Sequence, residues 1–166
     1  MRKVLLLAIL NLVTISLSAQ NLTLAQILEV KNKSLANTET YLTAKGWGFS
    51  EAKEAGADNF GVTVYKYKKS DAIDNAESFL YFIHNEQSNI TRISVHISKQ
   101  SKYTEYFNAI KGSCNLISSK VKEGATVEIY RNATTTFKII SNTAGPKVAK
   151  WILMIYSNDD FNLSDE

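Results

Sequence analysis

The stretch 89–98 constrains the fold most. Ile93, Val95 and Ile97 alternate with Arg92, Ser94, His96 and Ser98. Successive side chains of a strand point to opposite faces, so a period of two marks a strand with one buried face. The segment 60–67 has the same period, built from Val62, Val64, Tyr65 and Tyr67, residue types that suit strands. Segment 78–84 is a continuous apolar strand. Further along, 115–121, 125–131, 134–141 and 149–157 read as four more strands. Arg131-Asn132-Ala133-Thr134 is a tight connection that predicts a hairpin between the middle two. The connections 53–59, 69–76 and 85–89 carry the Gly, Asp, Asn and Ser that turns require.

Helical signals punctuate this pattern. Thr23 followed three residues later by Gln26 is a capping box, with Leu24, Ile27 and Leu28 at helical spacing. A short second helix is predicted over 38–45, capped by Asn37 or Thr38 and stopped at Gly46. A third is predicted over 101–111, with Tyr103, Tyr106, Phe107 and Ile110 forming an apolar stripe and Gly112 as its stop. The acidic tail 159–166 is expected to fray.

The two halves of the chain read alike. Tyr41-Leu-Thr-Ala-Lys-Gly46 resembles Tyr106-Phe-Asn-Ala-Ile-Lys-Gly112, and Val62-Thr-Val-Tyr65 resembles Val127-Glu-Ile-Tyr130. This predicts a helix-plus-strands unit used twice, over 23–99 and 100–160. The expected fold is α+β: one curved antiparallel sheet of about six to eight strands, with helices on one face. The helix-packed face should take Val62, Val64, Leu80, Phe82, Ile93, Val95, Ile97, Val127, Ile129, Phe137, Ile139, Trp151, Leu153 and Ile155.

The opposite face should then hold Tyr65, Tyr67, Phe79, Tyr81, Ser94, His96, Tyr130, Lys138, Met154 and Tyr156. A solvated face ordinarily reads Thr, Lys, Glu and Ser. Tyrosine gives rigid contact area with a polar tip and is enriched at binding surfaces. Tyr65, Tyr67, Tyr81, His96, Tyr130 and Tyr156 are therefore the expected binding residues, for a protein, peptide or glycan.

Residues 1–20 have the form of a secretory signal: Met1-Arg2-Lys3, an apolar run over 4–17, then Ser18-Ala19-Gln20. Cleavage is expected after Gln20 or Ala19, leaving 21–166 as a single α+β domain, secreted or periplasmic. The apolar run is shorter than the roughly 20 residues a permanent span requires, and no cysteine stands nearby to carry a lipid. Loss of Arg2 and Lys3 would lower the formal charge of +3 to about +1, leaving no global field to attract nucleic acid.

Charged residues at 21% and hydrophobic residues at 45% are ordinary for a folded chain, and one proline excludes proline-rich classes. The single cysteine, Cys114, excludes a disulfide scaffold and thiolate zinc sites. Only two histidines occur, His84 and His96, too few for a metal site of three or four ligands. No nucleophile elbow, phosphate loop or zinc-protease helix appears. No cofactor is expected, and a non-catalytic role is favoured. The alternatives are a small envelope hydrolase with His84 or His96 as base, and a self-associating structural envelope protein that uses exposed sheet edges or Cys114.

The export segment, the stretch Tyr41-Leu-Thr-Ala-Lys-Gly-Trp47 and the duplicated layout together resemble small exported proteins of Gram-negative bacteria, a likeness that implies no activity. Over about 75–160 the helix-then-sheet layout is also similar to that of the secreted β-lactamase inhibitory proteins. In those proteins a concave aromatic sheet face grips a partner. The chain lacks that family's two disulfides, and the likeness transfers no residue.

Overall fold

A computed structural model describes residues 22–56, 59–69, 76–85, 87–142 and 149–164. The export segment lies outside the described residues. Two helices come first, α1 (Leu24–Lys31) and α2 (Leu35–Ala44). The strands β1 (Trp47–Lys53), β2 (Gly61–Lys69), β3 (Ala76–Asn85) and β4 (Ile90–Ile97) follow. Then come α3 (Gln100–Ser113), β5 (Asn115–Lys122), β6 (Ala125–Arg131), β7 (Thr135–Asn142), β8 (Trp151–Ser157) and α4 (Asn158–Ser164). All eight strands join one sheet, in the order β1-β2-β3-β4-β8-β7-β6-β5. Every neighbouring pair is antiparallel.

Local chemistry sets the element ends. The capping box forms as expected: the Thr23 amide donates to Gln26 Oε1 at 2.9 Å and the Gln26 amide to Thr23 Oγ1 at 3.3 Å. The second helix begins earlier than predicted. Ser34 is its cap, accepting from the Asn37 amide at 3.4 Å, while Thr38 is buried inside the helix. Gly46 takes φ +80° just after that helix, the left-handed stop expected there. Gly112 is no stop, because α3 runs through it to Ser113. The turn between β5 and β6 has two residues, Glu123 and Gly124, with φ of 52° and 79°, the hairpin form that matches strand twist. In the β6–β7 turn, Asn132 Oδ1 accepts from the amides of Thr134 and Thr135 at 3.0 and 2.9 Å.

The repeated unit is visible in the register. α2 leads into the meander β1–β4, and α3 leads into β5–β8. Both edge strands carry an irregularity at matching positions, between Phe49 and Glu51 and between Leu116 and Ser118. In the central pair Val95 faces Leu153 and Ile93 faces Ile155. The row Tyr65–Leu80–Val95 corresponds to Tyr130–Phe137–Ile155, which makes Val95 equivalent to Ile155 and so places the local two-fold between the halves beside Ser94 and Met154.

Helices α1–α3 cover one side of the sheet. Ile27, Val30, Leu42, Tyr106 and Ile110 meet Leu80, Phe82, Ile93, Val95, Ile97, Phe137, Ile139, Leu153 and Ile155 in one buried core. The Tyr106 hydroxyl donates to the Leu22 carbonyl at 2.6 Å, tying α3 to the start of α1. Trp151, Tyr103 and Phe107 stack in series, and Phe107 meets Tyr130 edge-on.

Two expectations are corrected. On β2 and β6 the faces are exchanged. Tyr65 pairs with Leu80, and Tyr130 with Phe137, so these tyrosines and Tyr67 lie on the helix side and are buried. Val62, Val64, Val127 and Ile129 point the other way. Both faces of β2 are apolar enough to be buried, and alternation alone does not say which one the helices meet; on β6 the packing of Tyr130 against Phe107 and beside Phe137 outweighs the more apolar Val127–Ile129 row. The described part of the acidic tail, through Ser164, does not fray either. It forms α4, which buries Asp160 and Phe161 against the second face of the sheet.

Candidate functional site

The side of the sheet away from α1–α3 is built of residues in register. One row runs Val64, Tyr81, Ser94, Met154, Lys138, Ile129. The next runs Lys66, Phe79, His96, Ile152, Ile140, Val127. Most of these side chains are half-buried, with Val64 and Ser94 fully so. Among the described residues only α4 packs on this face, at one end.

Three of the six expected binding residues lie here. The Tyr81 and His96 rings meet at a tilt of 40°, with centroids 4.5 Å apart. Burial lowers the His96 pKa and raises that of Tyr81, with Glu51 adding to the latter. Tyr156 is on this face but covered: Phe161 of α4 meets its ring at 5.3 Å and its hydroxyl contacts Met154 Sδ at 3.4 Å. Tyr65, Tyr67 and Tyr130 are on the other side and are core residues. Burial raises all three phenol pKa values, that of Tyr130 to about 12, helped by the nearby Glu128 carboxylate, which accepts from the hydroxyl at 3.2 Å.

Over β5, β6 and β7 this face holds a hollow of about 520 Å³. Ala125, Val127, Ile129 and Ile140 supply its apolar part, and Lys120, Lys122 and Lys138 its cations, with Glu123 at one end. The face assignment made from the sequence put Val127 and Ile129 in the core and so missed this hollow. No local signal in β6 reveals it: Val127 and Ile129 form the more apolar row of the strand and Thr126, Glu128 and Tyr130 the other, so alternation points the valine–isoleucine row inward.

His84 occupies a separate place, on the helix side at the end of β3. It pairs with Gly61, where a side chain is excluded: an added Cβ would lie 2.8 Å from His84 Cε1 and 2.9 Å from the Ala55 nitrogen. Two clefts flank it, about 430 and 330 Å³, sharing Leu35, His84 and Asn85. Lys53, Glu54 and Thr63 line the first, and Lys33, Ser34 and Thr91 the second. His84 Nδ1 is buried and makes no hydrogen bond. His84 and His96 face opposite sides of the sheet, so they cannot serve one centre. Among the described residues no three His, Cys, Asp or Glu side chains gather as a metal-binding group, and no helix is long and apolar enough to cross a membrane.

No family model, no curated protein and no solved structure matches the chain.

Proposed function

We propose that the chain is an exported, non-catalytic binding module whose helix-free sheet face receives a protein, peptide or glycan. The observation that carries this reading is the composition of that face. It presents Phe79, Tyr81, Met154, Ile152 and Ile140 half-exposed, beside a hollow lined with apolar side chains and lysines. Apolar patches of this kind on a chain's surface mark interaction sites. The export part rests on residues 1–20, and N-terminal sequencing of the protein from the periplasm or medium tests it, with a start at Gln20 or Asn21 expected.

Peptide and glycan arrays probed with the mature chain test the binding part. Ligands should be retained by the parent and lost by Ile140→Asp and Met154→Asp variants that still melt cooperatively. An empty result on both arrays overturns the reading, as does binding that survives both substitutions. A hydrolase built on His84 is the second reading, favoured by its buried, unpaired Nδ1 between two clefts. Ester, peptide or glycoside hydrolysis that disappears in His84→Ala would put it first.

A further inference from the structure

The outer edge of β5 stands out from the rest of the surface. β5 ends the sheet, and among the described residues only β6 pairs with it. Every residue of β5 except Ser118 is exposed. Among the described residues five large hydrophobic side chains are exposed, and three of them, Leu116, Ile117 and Val121, are on this strand at 53%, 56% and 78%. The opposite edge, β1, buries Trp47 and lies beside α2. Chains ordinarily protect a long apolar edge, because its unpaired backbone groups template another strand.

The two sides of β5 differ in chemistry. Ser118, Lys120 and Lys122 point to the helix-free face, where the hollow continues to Lys138. Leu116 and Val121 point to the helix side. A strand added to this edge would place alternate residues beside the two lysines and the intervening ones beside Leu116 and Val121.

We propose that β5 accepts an extended segment of a partner protein as a ninth strand, one in which carboxylates alternate with apolar side chains. This rests on the reading of the chain as a binding module and names the partner's chemistry. The backbone of the added strand supplies hydrogen bonds, and the alternating side chains supply selectivity. Carboxylates spaced two residues apart meet Lys120 and Lys122. Glu123 disfavours a further acid at the turn end of the strand. A second copy of β5 is a poor occupant, because an antiparallel self-pair centred on Lys120 or between Lys120 and Lys122 sets lysine against lysine and offers these two lysines no carboxylate on the strand.

The test titrates the isotope-labelled mature chain with a synthetic peptide alternating glutamate and valine. The same composition scrambled and a lysine–valine peptide serve as controls. The alternating acidic peptide should shift and protect amides of β5, and its affinity should fall as salt rises. The double substitution Lys120→Glu, Lys122→Glu should weaken it about tenfold without changing the melting temperature. Equal binding of the scrambled peptide, or binding at β1 or elsewhere on the sheet face, overturns the inference while leaving a binding module. Empty peptide and glycan arrays overturn the module itself. Protection of β5 that grows with protein concentration in the absence of peptide identifies a second copy as the occupant and also overturns the inference.

Discussion

Tyr65 and Tyr130 stand at the same place in the two halves of the sheet. Each pairs with the edge-strand residue just before the irregularity, Tyr65 with Phe49 and Tyr130 with Leu116, on the side the helices cover. Their exposures are 0% and 4%. They anchor β2 and β6 beneath the helices. Truncating either to alanine should cost about 3–5 kcal/mol, as for other large buried rings. Urea unfolding of Tyr65→Ala and Tyr130→Ala checks this; unchanged midpoints would contradict the placement.

The buried hydroxyls separate two further variants. Tyr65 Oη makes no hydrogen bond, whereas Tyr106 donates to the Leu22 carbonyl. An unpaired buried hydroxyl destabilises, and a paired one contributes modestly. Tyr65→Phe should therefore raise stability by about 1 kcal/mol, and Tyr106→Phe should lower it by about 1 kcal/mol. Opposite signs in matched melts are the expected result.

Arg92 and Asp160 join β4 to α4 across the end of the second face. The guanidinium meets both carboxylate oxygens, at 2.9 Å from Nε to Oδ2 and 2.7 Å from Nη2 to Oδ1, and lies over the Phe60 and Tyr156 rings. The Asp160 side chain is 2% exposed. Removing one partner of a buried pair leaves the other uncompensated, at a cost of about 3–5 kcal/mol. Asp160→Ala should release α4, seen as faster amide exchange over Asn158–Ser164 and new accessibility of Tyr156.

Acidification should weaken the fold through His96. Burial holds its pKa below the ordinary 6.5, so the folded chain favours the neutral ring. The unfolded chain binds that proton first as pH falls, and stability is lost between the ordinary imidazole range and the lower folded value. Its contribution is complete above that window. The melting temperature should drop from about pH 7 to about pH 5, and less steeply in His96→Gln. Parallel profiles for the two proteins would exclude the effect.

Much of the architecture is legible in residue order. Thr23 and Gln26 announce α1, the alternation of 89–98 announces β4, and the likeness of Val62–Tyr65 to Val127–Tyr130 anticipates equivalent strands. These signals are local: caps, periods and turns depend on neighbours within a few positions. His96 is legible on the open face for the same reason, since β4 has one distinctly more apolar side, and Tyr81 follows from its register with Ser94.

Tertiary structure decided the rest. On β2 and β6 valines and isoleucines compete with tyrosines for the helices, and both sets can be buried. The choice belongs to the cross-strand register, which carries Leu80 to Tyr65 and Phe137 to Tyr130. The tail reads as solvated because Asp159 and Asp160 are acidic, yet Arg92 lies 68 residues from Asp160 in sequence and pairs with it in space. Local pattern determined α1 and most of the strands of this chain, and left α4 to tertiary contacts. Packing between distant segments chose which aromatic rings enter the core and left the β5–β7 hollow beside the outer edge of β5, because burial is shared among elements that no short stretch of sequence contains.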